Sequence, residues 1–202
     1  MEDPFWEKTY KDDSVSTFGL RPNQEVQDLC PSFKQNCSIL EVGCGEGKNS
    51  LFLAEKGFKV HAVDISESAI QKVNRLSLER KLELTTQAQD LRTFVFNKSY
   101  DVIISYGTLH FVEKKDWKLF IEKAKENTKP GGYNIMQIFT NKVPASPDIA
   151  SFAVGLANEE ELFSLYKGWE VLKTIAHVFD DEHPGVEKHK HASNKIVAKK
   201  PL

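Results

Sequence analysis

The sequence predicts an α/β fold, a doubly wound and mostly parallel sheet of seven strands with a C-terminal antiparallel hairpin. Apolar segments of strand length alternate with helical patterns from residue 38 onward, which favours parallel pairing through right-handed crossovers. A glycine cluster follows the first of these strands, at the start of a helical pattern. The last two strands are separated by a polar segment without helical periodicity, and such a connection suits an antiparallel hairpin at one side of the sheet.

The first half of the domain contains three predicted strands. Residues 38–42 and 59–64 are the first two, and residues 47–56 form the helix between them. Ser66 is a typical N-cap for the next helix, because its hydroxyl can accept a hydrogen bond from an amide of the first turn. Residues 82–86 complete this half as the third strand.

The second half begins with the most apolar strand, residues 100–105, which we expect to be buried on both faces. An amphipathic helix follows, and Lys-Pro-Gly-Gly at residues 129–132 is expected to stop it, since proline cannot continue a helix. Its buried face is predicted from residues spaced three and four apart: Trp117, Phe120, Ile121 and Ala124.

Four further elements complete the domain. Residues 133–139 are a predicted strand, and residues 158–166 a helix that opens with a capping box. The long loop between them, residues 140–157, is of the kind that often covers a binding site. Residues 169–179 and 195–198 are the two strands of the hairpin, with a polar loop between them.

The composition indicates one domain and excludes several classes of partner. The chain has 202 residues, with 27 Lys and Arg against 29 Asp and Glu and a formal net charge of −2. Such balanced charge provides no broad basic field for a phosphate backbone, so we expect no nucleic-acid partner. Apolar runs stay far below the ~20 residues of a membrane-spanning helix, so we expect no membrane partner.

Residues 38–202 are predicted to form the single domain, and residues 1–37 an extension that packs over it. The first residues are acidic where a secretory signal peptide would be basic. Three cysteines, without a Cys-x-x-Cys spacing, argue against a disulfide framework and a structural zinc site. We therefore expect a reducing, cytoplasmic location.

The strongest chemical signal is Glu-Val-Gly-Cys-Gly-Glu-Gly at residues 41–47, between a strand and a helix. Glycines there permit a tight turn and let a ligand approach the backbone at the helix N-terminus. Asp64 stands at the end of the next strand, where a carboxylate can accept hydrogen bonds from both ribose hydroxyls. Together these features predict a nucleotide-like cofactor.

The spacing of the glycines decides which cofactor is expected. The dinucleotide fingerprint is Gly-x-Gly-x-x-Gly, whereas the third glycine here comes one residue early, and no phosphate loop is present. Acid-x-Gly-x-Gly-x-Gly instead resembles motif I of class I S-adenosylmethionine-dependent methyltransferases, a family with a Rossmann-like fold. The resemblance implies S-adenosyl-L-methionine as the cofactor and places the N-terminal extension over the cofactor site.

The same resemblance assigns cofactor contacts by position. Gly43, Cys44 and Gly45 would border the methionine and ribose moieties, and Asp64 would hold the ribose. Glu41 is similar to the acidic residue that orients the ammonium group of the cofactor, often indirectly. Cys44 is more consistent with a small turn residue than with a nucleophile, because no base lies beside it in sequence.

Further contacts are implied after the later strands. Asp90 and Leu91 resemble the adenine-contacting motif, with Asp90 near the exocyclic amine, and Ser105 and Tyr106 would close the methionine end. His110 lies where methyltransferase acceptors commonly bind, yet it is equally consistent with a packed histidine. Two more cofactor contacts are expected by position: Asn49 and Ile65.

Three longer segments are similar to the tellurite-resistance (TehB-like) methyltransferases: residues 43–54, 128–134 and 166–170. This resemblance implies methyl transfer to tellurite, selenite or a related small acceptor. Methylation of a thiol or another small metabolite needs the same cofactor site, and a non-catalytic protein that binds S-adenosylmethionine is a further alternative.

The resemblance also places the acceptor beside the predicted loop between the last two strands. His183 matches the histidine of the family, and Lys188 falls where a second arginine is expected. His189 and His191 are expected to act with them on the acceptor. Two alternatives stay open: a solvated loop, or a strand with His189 and His191 on one face. His-x-His can also bind a metal, but the family requires none, and we expect none.

Overall fold

The computed structural model describes residues 4–12, 14–183 and 186–202. Its strands are β1 (Ser38–Val42), β2 (Lys59–Asp64), β3 (Leu84–Ala88), β4 (Tyr100–Tyr106), β5 (Thr128–Phe139), β6 (Glu170–His183) and β7 (Val186–Lys199). Its helices are α1 (Phe5–Tyr10), α2 (Gln24–Leu29), α3 (Lys48–Glu55), α4 (Glu67–Glu79), α5 (Lys114–Glu126) and α6 (Glu161–Ser164). Short 3₁₀ turns lie at Cys30–Ser32, Leu91–Thr93 and Leu109–Phe111.

The strands form a seven-stranded sheet in the order β3-β2-β1-β4-β5-β7-β6. β1 to β5 pair in parallel, whereas β7 is antiparallel to both of its neighbours. This confirms the predicted fold class, including the C-terminal hairpin. The strand order reverses between β1 and β4, and the carboxyl ends of such a pair open a crevice in which α/β proteins bind ligands.

Apolar side chains cover both faces of the sheet. On one face, Trp117, Phe120 and Ile121 of α5 are at most 3% exposed, as their spacing predicts. On the other face, Val26 of α2 and Leu53 of α3 pack over β1 and β4. Within the described residues, no helix is long and apolar enough to cross a membrane.

The boundaries of β1 and β2 and the start of α4 agree with the sequence predictions. Ser66 caps α4 as expected, because its Oγ accepts a hydrogen bond of 3.0 Å from the amide of Ala69. β3 begins two residues later than predicted, at Leu84. Its side chains are only partly buried because it is the edge strand beside β2, so its local pattern defined its start poorly.

The predicted stop of α5 at residues 129–132 was wrong. The helix ends at Glu126, where the side chain of Asn127 turns back and donates to the carbonyl of Lys123 at 2.8 Å. The Lys-Pro-Gly-Gly segment instead belongs to the start of β5, where the pairing with β4 shifts register.

The helix predicted over residues 158–166 was wrong in length, since α6 spans only Glu161–Ser164. Half of the capping box is formed, because Glu161 accepts a hydrogen bond of 2.7 Å from the amide of Asn158. Glu160 adopts a φ of 62°, and this left-handed residue prevents the helix from starting earlier.

The predicted polar loop between the last two strands was also wrong. β6 and β7 are each 14 residues long and pair from Glu170↔Lys199 to His183↔Val186. The interpretation of His189 and His191 as one face of a strand is therefore the correct one, and polar residues on the other face explain the loop-like composition. Pro184 and Gly185 lie outside the described residues.

Candidate functional site

The glycine loop (residues 43–47) joins the carboxyl end of β1 to α3. Its amides at Gly43 and Cys44 donate to the carbonyl of Val63 on β2, at 2.7 and 3.0 Å. Gly43 has a φ of 80°, and a Cβ there would lie 1.9 Å from Oγ1 of Thr108. Only glycine allows the segment after β4 to pack so closely on the loop.

Asp64 is held against this loop. Its Oδ2 accepts a hydrogen bond of 2.8 Å from the amide of Gly45, and its Oδ1 accepts one of 2.9 Å from the amide of Ser66. Burial raises the pKa of Asp64, although these amide bonds oppose the shift. Ile65 beside it is 67% exposed, an unusual position for a large apolar side chain. A carboxylate next to an exposed apolar side chain fits the ribose and adenine of a nucleoside.

Glu41 is almost fully buried at the end of β1, with 2% of its surface exposed. Its Oε1 accepts from Nδ2 of Asn49 at 2.8 Å, and its Oε2 accepts from Oγ of Ser50 at 2.5 Å. Burial raises the pKa of Glu41 to about 7. Oδ1 of Asn49 in turn accepts from the amide of Asn23 at 2.8 Å. Glu41 and Asn49 therefore fix α3 and the extension from inside, which corresponds to an indirect role toward a ligand.

Cys44 is 5% exposed within the glycine loop. Burial, together with the nearby carboxylates of Asp64 and Glu41, raises the pKa of its thiol well above the ordinary value. A thiol that stays protonated is a poor nucleophile, in agreement with its interpretation as a small turn residue.

Asp90 and Leu91 lie after β3, as expected for the adenine end. Oδ1 of Asp90 accepts from the amide of Arg92 at 2.8 Å, and the Arg92 guanidinium contacts both carboxylate oxygens. The Arg92 side chain is the main cause of the lowered pKa of Asp90. Leu91 is 8% exposed. Asp90 must therefore share its carboxylate with Arg92 if it binds an exocyclic amine.

Ser105 and Tyr106 end β4 on the side expected for the methionine moiety. Within the part of the chain that the structure describes, Oγ of Ser105 is buried and has no hydrogen-bond partner. The phenol of Tyr106 donates to Oε2 of Glu25 on α2 at 2.7 Å, and burial raises its pKa. A polar ligand group would satisfy the Ser105 hydroxyl, whereas Tyr106 already has a partner.

The N-terminal strap (residues 9–12 and 14–18) crosses the glycine loop. Nζ of Lys72, on α4, donates to the carbonyls of Thr9 and Asp12, both at 2.9 Å. The same ammonium pairs with Glu46 of the loop at 2.9 Å, and Glu46 accepts from the amide of Thr17 at 2.7 Å. Both side chains of this ion pair are at most 4% exposed. The strap is thereby tied to the loop through buried charges.

Sequence reasoning missed this role of Lys72. A signal was present, because Lys72 lies beside the buried Ala69, Ile70 and Val73 of α4, where a cation needs a partner. Tyr10, at the end of α1, is buried over the loop, with its hydroxyl 3.0 Å from the position of a Cβ on Gly45.

Two of the predicted acceptor residues, His189 and His191, are brought together on one face of β7. Their Nε2 atoms lie 3.0 Å apart. Oδ2 of Asp148 lies 3.4 Å from Nε2 of His189 and 3.8 Å from that of His191. We call these three residues the histidine–aspartate cluster. Asp148 comes from the irregular segment between β5 and α6, and the sequence analysis did not single it out.

The other two predicted acceptor residues lie elsewhere or outside the description. Lys188 points to the opposite face of β7, where its ammonium is 3.8 Å from Asp180 and largely exposed. The backbone of His183 pairs with Val186, but its side chain lies outside what the structure describes.

His110 connects the end of β4 to the cluster. It is fully buried, and neither ring nitrogen has a hydrogen-bond partner among the described residues. Its ring stacks on Phe139 at 4.3 Å, and Phe139 stacks on His191 at 4.4 Å. Burial, with a contribution from the neighbouring His191, lowers the pKa of His110 to about 3. His110 is thus a neutral ring that follows β4 and is linked to the histidine–aspartate cluster through Phe139.

Lys48 lies between the glycine loop and the C-terminal hairpin. Burial lowers its pKa, and the nearby carboxylate of Glu41 opposes that shift. Two hairpin residues also act on it, since Lys195 lowers the pKa and Asp181 raises it. These effects indicate that Lys195 and Asp181 of the hairpin lie near the start of α3.

Comparisons with known proteins identify the family of the chain. The family model described as "Tellurite resistance protein TehB" matches residues 10–198. The probable S-adenosyl-L-methionine-dependent methyltransferase TehB of Haemophilus influenzae strain Rd is 33% identical over 140 residues, which cover 68% of this chain and 47% of that protein. The chain therefore spans about half the length of this curated relative.

Two solved structures support the same fold. The crystal structure of TehB from Haemophilus influenzae has a TM-score of 0.79 at 25% identity, covering 89% of this chain and 62% of that one. The N-methyltransferase NodS from Bradyrhizobium japonicum, in complex with S-adenosyl-L-homocysteine, has a TM-score of 0.69 at 16% identity and covers 99% of this chain and 100% of that one.

Proposed function

This chain belongs to the family of the tellurite resistance protein TehB, and from that premise we propose that it transfers the methyl group of S-adenosyl-L-methionine to a small acceptor, with tellurite or selenite oxyanions as the first candidates. The observation that carries the proposal is the hydrogen bond from the amide of Gly45 to Asp64, which holds a carboxylate against the glycine loop at the carboxyl ends of β1 and β2.

The residues around the loop fit this cofactor. Asp64 offers its carboxylate to the ribose hydroxyls, and the exposed side chain of Ile65 can cover one face of the adenine. The Ser105 hydroxyl, which has no hydrogen-bond partner among the described residues, is available to the methionine end. Glu41 acts indirectly, because its carboxylate accepts hydrogen bonds from Asn49 and Ser50 and so fixes the start of α3. When bound, S-adenosyl-L-methionine supplies an electrophilic methyl carbon on its sulfonium.

The chain itself has to position the acceptor and exclude water from it. In-line displacement needs the acceptor lone pair aligned with the methyl carbon, and alignment of this kind can account for much of the rate enhancement. The N-terminal strap covers the glycine loop through the buried Lys72–Glu46 pair, and we propose that it shields the cofactor from solvent.

We assign the acceptor side to His189, His191 and His183. A histidine can remove a proton from a protonated acceptor or, as an imidazolium, hold an oxyanion. Lys188 offers an exposed point charge rather than a bidentate fork, so it is expected to attract an oxyanion without fixing its orientation.

The activity is tested by incubating the purified chain with S-adenosyl-L-methionine and, separately, tellurite, selenite and a thiol. We expect S-adenosyl-L-homocysteine to form with tellurite or selenite, together with volatile methylated products. Product from the thiol alone would replace the proposed acceptor. Cofactor binding by calorimetry with no product from any acceptor would indicate a non-catalytic binding protein.

The acceptor assignment is tested by His183→Ala. Turnover should fall while the affinity for S-adenosyl-L-methionine stays near that of the wild type. The control is Lys190→Ala, an exposed residue of the same hairpin, which should change neither quantity. Equal loss of turnover and of cofactor affinity in His183→Ala would show that the hairpin supports the cofactor site rather than the acceptor.

A further inference from the structure

We propose that Asp148, His189 and His191 form a binding site for a divalent first-row transition-metal ion of the Zn²⁺ type. This inference rests on the geometry of the histidine–aspartate cluster and does not depend on the methyl-transfer activity. With the ion bound, His189 and His191 are metal ligands, and proton transfer to or from an acceptor is left to His183. The three residues come from two separate segments, the irregular stretch after β5 and strand β7, and meet beneath the protein surface. Their side chains are 1%, 8% and 4% exposed, respectively.

The spacing of the three ligand atoms matches a tetrahedral ion. Zinc binds histidine nitrogen and carboxylate oxygen at about 2.0 to 2.2 Å, which places neighbouring ligand atoms of a tetrahedron roughly 3.4 Å apart. In the cluster, the Nε2 atoms of His189 and His191 are 3.0 Å apart, and Oδ2 of Asp148 lies 3.4 and 3.8 Å from them. An ion between these atoms needs only small adjustments of the side chains.

The hydrogen bonds around the cluster select the ring form that binds metals. Nδ1 of His189 lies 2.6 Å from the carbonyl of Glu187. A carbonyl can only accept, so Nδ1 carries the proton and Nε2 presents its lone pair to the cluster. A histidine held in this way by a backbone carbonyl is the usual arrangement around protein metal sites.

Ser146 holds the other two ligands. Its hydroxyl donates to Oδ1 of Asp148, because a carboxylate only accepts. The same oxygen lies 3.4 Å from Nδ1 of His191 and can accept a proton from it, which turns the lone pair of that Nε2 toward His189. Two lone pairs 3.0 Å apart repel each other unless a proton or a metal ion lies between them.

The donor set defines the class of ion. Two imidazole nitrogens and one carboxylate oxygen suit Zn²⁺ and its first-row neighbours, whereas Mg²⁺ and Ca²⁺ prefer oxygen ligands throughout. Three protein ligands leave a fourth tetrahedral position for water, for an atom of a small molecule, or for the carboxylate of Asp181, whose Oδ2 lies 3.7 Å from Nε2 of His191. The ring of Phe139 stacks on His191 of this site and also on His110. Phe139 thereby links the site to His110, which we place beside the acceptor.

The test uses the intact chain, freed of metal with a chelator and titrated calorimetrically with ZnCl₂ in the absence of S-adenosyl-L-methionine. We expect saturable binding of one equivalent and an increase in Tm of about 5 to 10 °C when free Zn²⁺ is a hundredfold above Kd. Co²⁺ should give the intense visible absorption bands of a tetrahedral N/O site.

Two variants probe the ligands. His191→Ala removes one nitrogen, and Asp148→Asn keeps the shape and the contact with Ser146 while removing the charge, so the latter variant should stay folded. Each is expected to weaken Zn²⁺ binding at least tenfold. The control is His177→Ala, which removes a histidine of the same hairpin that lies outside the cluster and should leave Zn²⁺ binding unchanged.

Three results would overturn the inference. They are absence of saturable binding to the wild type, equal affinity in a folded Asp148→Asn, or nitrogen NMR evidence that a proton shared by His189 and His191 persists in the presence of Zn²⁺. Because these measurements use neither cofactor nor acceptor, failure here leaves the proposed methyl transfer intact, and the converse also holds.

Discussion

The carboxylate of Asp64 accepts a hydrogen bond of 2.8 Å from the amide of Gly45, across 19 positions of the chain. β1 and β2 are parallel neighbours, with Val42 paired to Val63, so both carboxyl ends reach the same edge of the sheet. Asp64, the expected ribose anchor, and the glycine loop therefore form one structural unit. A change in either should alter the affinity for the cofactor.

Asp64→Ala should weaken the binding of S-adenosyl-L-methionine by about a hundredfold or more. Two hydrogen bonds from ribose hydroxyls to a carboxylate contribute roughly 1.5 kcal/mol or more each, and 1.4 kcal/mol corresponds to about a factor of ten. Calorimetry measures the affinity, and circular dichroism checks the fold. Glu67→Ala, an exposed carboxylate in the first turn of α4, is the control. Unchanged affinity in Asp64→Ala would refute its assignment as the ribose anchor.

Gly43→Ala should lower the free energy of unfolding by roughly 2 to 4 kcal/mol, from backbone strain and overpacking together. The new Cβ would lie 1.9 Å from Oγ1 of Thr108, at a φ of 80°. Gly57→Ala is a matched control, because Gly57 has a φ of 82° with nothing within 4 Å of the added Cβ. It should cost only the strain, about 1 kcal/mol. Equal losses in the two variants, measured by urea unfolding, would show that Thr108 moves aside.

Glu41→Gln should remove a pH dependence of stability. Burial raises the pKa of Glu41 from 4.5 to about 7, so between these values the folded protein keeps a proton that the unfolded chain has released. The wild type should therefore lose about 3 kcal/mol of stability as pH rises through this window, whereas Glu41→Gln should not lose that contribution. Urea unfolding of both proteins at pH 5 and pH 8 gives the comparison. A wild-type stability that rises relative to Glu41→Gln over the same window would contradict the sign.

Lys72→Met should release the N-terminal strap and reduce stability by about 3 to 5 kcal/mol, because it leaves the buried carboxylate of Glu46 without its ion pair. Hydrogen exchange should quicken at the amides of residues 14–18, which include that of Thr17. Lys59→Met, an exposed lysine on β2, serves as control. Protected strap amides in a folded Lys72→Met would mean that other contacts hold the strap.

Local sequence signals were sufficient for the cofactor side of the fold. Residues 41–47 combine an apolar strand, a glycine turn and a helix start within a short stretch, and the Ser66 cap marks the next helix. These features depend on neighbours in sequence, so periodicity and turn chemistry reveal them. The predicted family is confirmed by the TehB family model, which matches residues 10–198 of the chain.

The C-terminal hairpin, to which we assign the acceptor, could not be predicted in the same way. β6 and β7 gain their length by pairing with each other, and their polar outer residues resemble a loop when either segment is considered alone. Asp148 reaches His189 from an irregular segment, about 40 positions away in the chain, and no local pattern encodes such a contact. The contact between Asp148 and His189 was missed because the two residues are far apart in sequence, and not because their chemistry is unusual.

The position of β7 between β5 and β6 has a consequence for synthesis. The ribosome makes β7 after the six other strands of the sheet, yet β7 lies between β5 and β6. β6 therefore has no partner in the sheet until β7 emerges. Until then, the edge of β5 and the whole of β6 expose unpaired backbone groups that can join another chain. A nascent chain halted before Val186 is therefore expected to be prone to aggregation, and His189 and His191 can take up their positions only after β7 has emerged.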